Sequence, residues 1–133
     1  MYLLNFQLQF EPLITGGHKP HTIRAKRADG RDPQPGDVLR MYVEQRSPRA
    51  RIIAQEVCEY VSDIQILPPL ADRLPQIFVG DRLLDEAQAE SLARADGFDG
   101  WRDLVMFFRQ AYGLPFTGNL IGWNHTPAYV RLQ

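Results

Sequence analysis

Apolar and polar residues alternate at the start of the chain, with Tyr2, Leu4, Phe6 and Leu8 set against Leu3, Asn5 and Gln7. That period of two predicts a strand over Tyr2 to Leu8. Phe10 to Thr15 predicts a short helical turn, ended by Gly16-Gly17, residues suited to a left-handed cap or tight loop. A strand entered near His21 follows. Lys26 to Asp37 is polar and rich in Gly and Pro, a loop. Val38 to Val43 predicts a second long strand, and Ser47-Pro48-Arg49 a turn. The β-branched stretch from Arg51 to Ile66 predicts one bent or two short strands, interrupted at Pro68-Pro69.

Ile77-Phe78-Val79 and Arg82-Leu83-Leu84 flank Gly80-Asp81 as a hairpin. Asp85-Glu86-Ala87-Gln88 is a capping box, opening a helix to about Ala95. Asp96-Gly97-Phe98 interrupts it, and Asp99 is placed to cap a second helix. There Trp101, Leu104, Val105, Phe108 and Tyr112 form one apolar stripe. Gly113-Leu114-Pro115 stops that helix, Phe116 to Trp123 predicts a closing strand, and the last ten residues fray or extend an edge. Short strands around a helix pair predict an α+β fold with a small curved sheet or barrel.

Composition adds bounds. A chain of 133 residues is expected to form one domain, 1–133, with a real core. The lone Cys58 excludes an intrachain disulfide and suits a reducing compartment. The apolar start has no basic stretch before it and is too short to span a bilayer, so a cytoplasmic protein without membrane partners is expected. The net charge of −1 hides a segregation. Residues 18–51 carry nine Lys or Arg against four acids, a net of +5, whereas residues 52–133 net −5. The basic third suits a phosphate-bearing or nucleic-acid partner; a solvated surface with segregated charge is the other reading.

The densest chemistry lies in that basic third, in Gly17-His18-Lys19-Pro20-His21-Thr22-Ile23-Arg24. Thr22 and Arg24 are two apart and share a strand face. Pro20 holds Lys19 extended ahead of the strand, from where it can curl back toward Thr22. Lys19 and Lys26 are the only lysines in a chain that otherwise uses arginine, and lysine is the cation that can lose its proton. Two uses follow: a neutral Lys19 acting as base on the Thr22 hydroxyl, or Lys19 and Arg24 gripping an anion with Thr22 a plain strand residue. His18, His21 and His125 lack the spacing of a metal set, so neither a metal nor a cofactor is expected.

Gly17-x-Lys19-x-x-Thr22-x-Arg24 after an apolar turn resembles the ASCH family, small PUA-like β-barrel domains with a helix pair packed on the barrel. Pro35-Gly36-Asp37 before a strand ending in Tyr42-x-x-x-Arg46 reinforces this, as do Asp96-Gly97-Phe98 between two helices and Gly118-x-x-Ile121-x-Trp123. The resemblance spans about residues 4–123. Pro20 and His21 depart from the small or β-branched residues common in the family. The resemblance implies a cleft that binds RNA or a modified nucleoside. One bacterial branch removes the acetyl group of N(4)-acetylcytidine with the motif lysine, the motif threonine and an acid near the helix pair. Lys19 and Thr22 match; the acid falls on Asp96, where that branch carries glutamate. Arg24 would supply a second cation, Arg46 a ligand contact and Trp123 a stacking surface. A non-catalytic module that reads RNA or modified bases, and a metal-independent ribonuclease with His21 as proton shuttle, are the alternatives.

Overall fold

The computed structural model describes residues 1–123. The chain is α+β, as its periodicities predict. Strand β1 (Tyr2–Phe6) passes through a 3-10 turn (Leu8–Phe10) into helix α1 (Glu11–Thr15) and then strand β2 (His21–Ala25). β3 (Val38–Val43), β4 (Arg51–Val57), β5 (Tyr60–Leu70), β6 (Leu74–Val79) and β7 (Arg82–Leu83) follow. Helices α2 (Glu86–Ala95) and α3 (Trp101–Ala111) precede the last described strand, β8 (Phe116–Gly122).

Two sheets form, in the orders β1-β3-β4 and β2-β8-β5-β6-β7. The expected small barrel is therefore not closed by strand pairing among the described residues. β4 is an edge of the smaller sheet, where Arg51, Gln55 and Glu56 are exposed along with Ile52 and Val57. β1 runs parallel to β3, so the chain must cross over between them, and that crossover contains α1 and β2. The segment with the densest chemistry is thus carried away from the first sheet and paired antiparallel to β8 in the second, Thr22 opposite Ile121 and Arg24 opposite Asn119.

β8 serves both cores because its side chains alternate. Phe116 and Leu120 join Ile64, Ile66, Leu92 and Leu104 between the larger sheet and the helices. Ile121 points the other way and joins Leu4, Leu39, Met41 and Cys58, which bind the two sheets face to face. On β2 the same alternation sends Ile23 to the helix-side core and leaves Thr22 and Arg24 on the opposite face.

Local expectations change at several places; β1 stops at Phe6, and Leu8, expected in that strand, opens the 3-10 turn. β5 continues through Pro68-Pro69 to Leu70, with a shift of register between Leu67 and Leu70 in place of a break; the Gln76 side chain donates to the Pro68 carbonyl at 2.8 Å. Asp99 does not cap α3. Gly100 holds that position, and the Glu90 carboxylate of α2 accepts from the Trp101 amide at 2.7 Å. A Cβ at Gly100 would lie 2.7 Å from that same carboxylate oxygen, so a larger residue there would require the Glu90 side chain to shift. Tyr112, assigned to the buried stripe, is 57% exposed because α3 ends at Ala111. The capping box at Asp85 and Gln88 forms as predicted. The last ten residues, with His125, lie outside the described residues.

Candidate functional site

α1 is too short to carry a site, but it aims the chain. Gly17 takes a φ of +78°, and the amides of His18 and Lys19 both donate to the Leu13 carbonyl at 2.8 and 2.9 Å. This tight reversal turns Lys19 inward, where it is 2% exposed. Its ammonium donates to the Asp96 backbone carbonyl at 2.6 Å and to Asp96 Oδ1 at 2.9 Å. Asp96 is the residue that closes α2, so the cation meets the negative end of a helix as well as a carboxylate.

Gly97 makes this meeting possible. Its φ is +104°, and a Cβ there would lie 2.6 Å from the Phe10 ring. With glycine in place, the Phe10 ring stands 5.1 Å from Lys19 Nζ, and the Phe6 ring 5.9 Å from it, aromatic surfaces that attract a cation. His21, wholly buried, places Nδ1 3.1 Å from the same Asp96 Oδ1. On the other face of β2, Thr22 is also buried, and its hydroxyl accepts from Arg24 Nε at 3.4 Å. The Arg24 guanidinium lies 4.7 Å over Phe6 and donates to the Asn5 carbonyl at 2.8 Å.

These groups share one cleft of about 150 Å³, lined by Lys19, Thr22, Arg24 and Asp96 together with aromatic residues of α3 and its flanks. Four of the six residues singled out in the sequence are therefore brought together. Arg46 is exposed and lines a neighbouring, wider cleft that shares Asn5 and Arg24 with the first. Trp123 is half-buried, packed edge-on to Phe6 at 6.5 Å between ring centroids, and does not line the Lys19 cleft.

The electrostatics follow from burial. Removal from water pulls the Lys19 ammonium below its ordinary lysine pKa; Asp96 opposes this and Arg24 assists it. The pull of a close carboxylate toward a charged lysine is thus outweighed here. Burial works to raise the Asp96 pKa, but Lys19 and His21 together hold it below the usual carboxylate value. Burial likewise lowers Arg24, against Asp96 and Tyr112.

Sequence reading missed Asn5, Phe98, Phe107 and Tyr112 as cleft residues. Phe107 carried a usable signal: it lies off the apolar stripe of α3, and it is 38% exposed. Phe98 and Asn5 carried none, since a turn aromatic and a strand asparagine are ordinary residues until the folded chain sets them beside Lys19. Among the described residues no three His, Cys, Asp or Glu side chains form a group that could hold a metal, and no helix is long and apolar enough to cross a membrane. Compared with known protein families, characterised proteins and solved structures, the chain matches none.

Proposed function

We propose that the chain is an ASCH-type, PUA-like domain whose cleft binds a modified nucleoside and hydrolyses the acyl amide of N(4)-acetylcytidine. The observation that carries this reading is a buried lysine of lowered proton affinity that shares a small aromatic-walled cleft with a threonine hydroxyl. Phe98, Phe107 and Tyr112 suit a planar base, which binds proteins by stacking. The Thr22 hydroxyl accepts from Arg24, which leaves its own proton free to be given away.

In the reaction, neutral Lys19 takes the proton of Thr22 as its oxygen attacks the acetyl carbon. Arg24 stabilises the resulting oxyanion. The Lys19 ammonium then returns the proton to the departing N4 nitrogen, releasing cytidine and leaving the acetyl group on Thr22. Water, activated by Lys19, attacks that ester; acetate departs and Thr22 is restored. Asp96 holds Lys19 throughout.

A second reading, a module that grips RNA without chemistry, draws on Arg46 in the adjoining cleft and on the basic third. It predicts binding that weakens steeply with salt, which nucleoside turnover does not. Several of its cations are already engaged, however, Arg51 with Glu11 and Arg27 with Asp29. The ribonuclease reading needs a proton shuttle in the cleft, and His21 is wholly buried against Asp96.

The test is chromatography of N(4)-acetylcytidine incubated with the protein and with Lys19→Ala and Thr22→Ala. Cytidine is expected from the unmutated protein alone. No cytidine from any of them removes this substrate and turns attention to RNA. Unchanged turnover by Thr22→Ala removes the threonine nucleophile.

A further inference from the structure

The reaction just described gives no task to the buried histidine beside Asp96. His21 is wholly buried, its Nδ1 stands 3.1 Å from Asp96 Oδ1, and its Nε2 has no hydrogen-bond partner among the described residues. A proton on Nε2 would be an unsatisfied donor in the interior, a costly arrangement. A lone pair facing a carboxylate from Nδ1 would be repulsive. Both difficulties are removed when the single ring proton sits on Nδ1 and is donated in a hydrogen bond to Asp96, which leaves Nε2 a bare acceptor. The ring then has a defined direction of donation, and the oxygen it donates to is the one that Lys19 also uses.

We propose that His21 is a positioning residue of this site: its Nδ1–H clamps the Asp96 carboxylate and shares the oxygen that holds Lys19, so that the lysine is fixed in place without being locked to its proton. The proposal rests on the hydrolytic reading of the cleft but concerns a geometry that exists without substrate. Asp96 faces two demands. It must hold the Lys19 side chain still, and a bare carboxylate in the interior would hold the lysine's proton as firmly as its nitrogen. A second donor on the same oxygen spreads the negative charge and weakens that hold. The groups that face Lys19 and Asp96 are His21 and Arg24 from β2, the rings of Phe6 and Phe10 from the N-terminal segment, and Tyr112 after α3, acting through Arg24. Of these, His21 is the ring in direct contact with the carboxylate.

The experiment is an NMR titration of the Lys19 side chain in substrate-free protein, beside His21→Leu and His21→Asn. Asparagine places an amide N–H near the position of Nδ1 and preserves the clamp; leucine fills the space and removes it. In His21→Leu the midpoint of the Lys19 titration is expected to rise, by about tenfold in proton affinity. In His21→Asn it is expected to return close to that of the unmutated protein. A folded His21→Leu protein with an unmoved Lys19 titration overturns the proposal. If neither variant folds, the ring itself decides. Nitrogen shifts of His21 in the unmutated protein should show the proton on Nδ1, and a proton on Nε2 overturns the clamp. The pH profile of acetylcytidine hydrolysis should follow the same order, its acidic limb moving upward in His21→Leu alone. An unmutated protein that fails to hydrolyse acetylcytidine removes the functional reading, and the lysine titration still judges His21.

Discussion

The chain's two lysines offer the same pair in two settings. Lys26 lies 2.6 Å from Asp63 Oδ1, with the two side chains 47% and 65% exposed. Lys19 lies 2.9 Å from Asp96 Oδ1, with exposures of 3% and 6%. Both residues are reached from the same short segment, on either side of β2. At the first pair water does most of the work of solvating both charges, so forming the contact changes little. At the second, two charges have been taken out of water, and their attraction must offset a desolvation cost of several kcal/mol per ion. A fold that only needed stability would fill that position with apolar residues. Stability alone therefore does not account for the buried pair, whereas the exposed pair is ordinary surface.

Asp96→Ala should separate the two pairs most clearly. Removing the carboxylate leaves the residue-96 backbone carbonyl and the Phe6 and Phe10 rings as the described partners of a buried ammonium, and about 3–5 kcal/mol of stability should be lost. Urea denaturation measures it. The sharper form is the double variant Lys19→Met with Asp96→Ala, which removes the stranded charge and should recover most of the loss. A double variant no better than the single one would mean that packing at the end of α2, not charge, sets the cost.

A smaller effect is expected with pH. Asp96 titrates below its ordinary value of 3.8, so its contribution is present above that value and is lost as pH falls through the lowered folded-state value. Lys19 is pulled below 10.5 in the folded state. Between its lowered value and 10.5 the unfolded chain therefore binds more protons, and stability should rise with pH across that window. The two slopes have the same sign at opposite ends of the scale. Denaturation midpoints measured through the alkaline range should show the rise in the unmutated protein and its disappearance in Lys19→Met.

What the sequence disclosed follows from how local each cause is. The capping box at Asp85, the strand at Val38–Val43 and the turn after Thr15 are decided by neighbours within a few residues, and periodicity or turn chemistry displays them. Lys19 and Thr22 were legible for the same reason. Asp96 lies 77 residues from Lys19 and came from the family resemblance, and the contact now shows what the spacing could not. His21 as partner of Asp96 was hidden because a histidine in a loop-to-strand segment has no pattern of its own. The cap of α3 was misassigned to Asp99 because its real acceptor, Glu90, lies on another helix. Trp123 looked like a stacking surface as a strand-end aromatic, yet the fold lays Phe6 against it. In each case the deciding partner is distant in sequence, which pattern alone does not encode.

The exposed pair should respond least. Lys26→Ala and Asp63→Ala should each change stability by less than about 1 kcal/mol, and a double-mutant cycle should give a coupling of about 0.2–1 kcal/mol. That coupling should fade as salt is raised, since the Debye length falls to about 3 Å at 1 M. The corresponding cycle at Lys19 and Asp96 should be larger and nearly indifferent to salt, because no mobile ion reaches side chains 3% and 6% exposed. Equal couplings, or equal salt dependence, would show that burial does not separate the two pairs and would remove the ground for treating Lys19 as a lysine kept for chemistry.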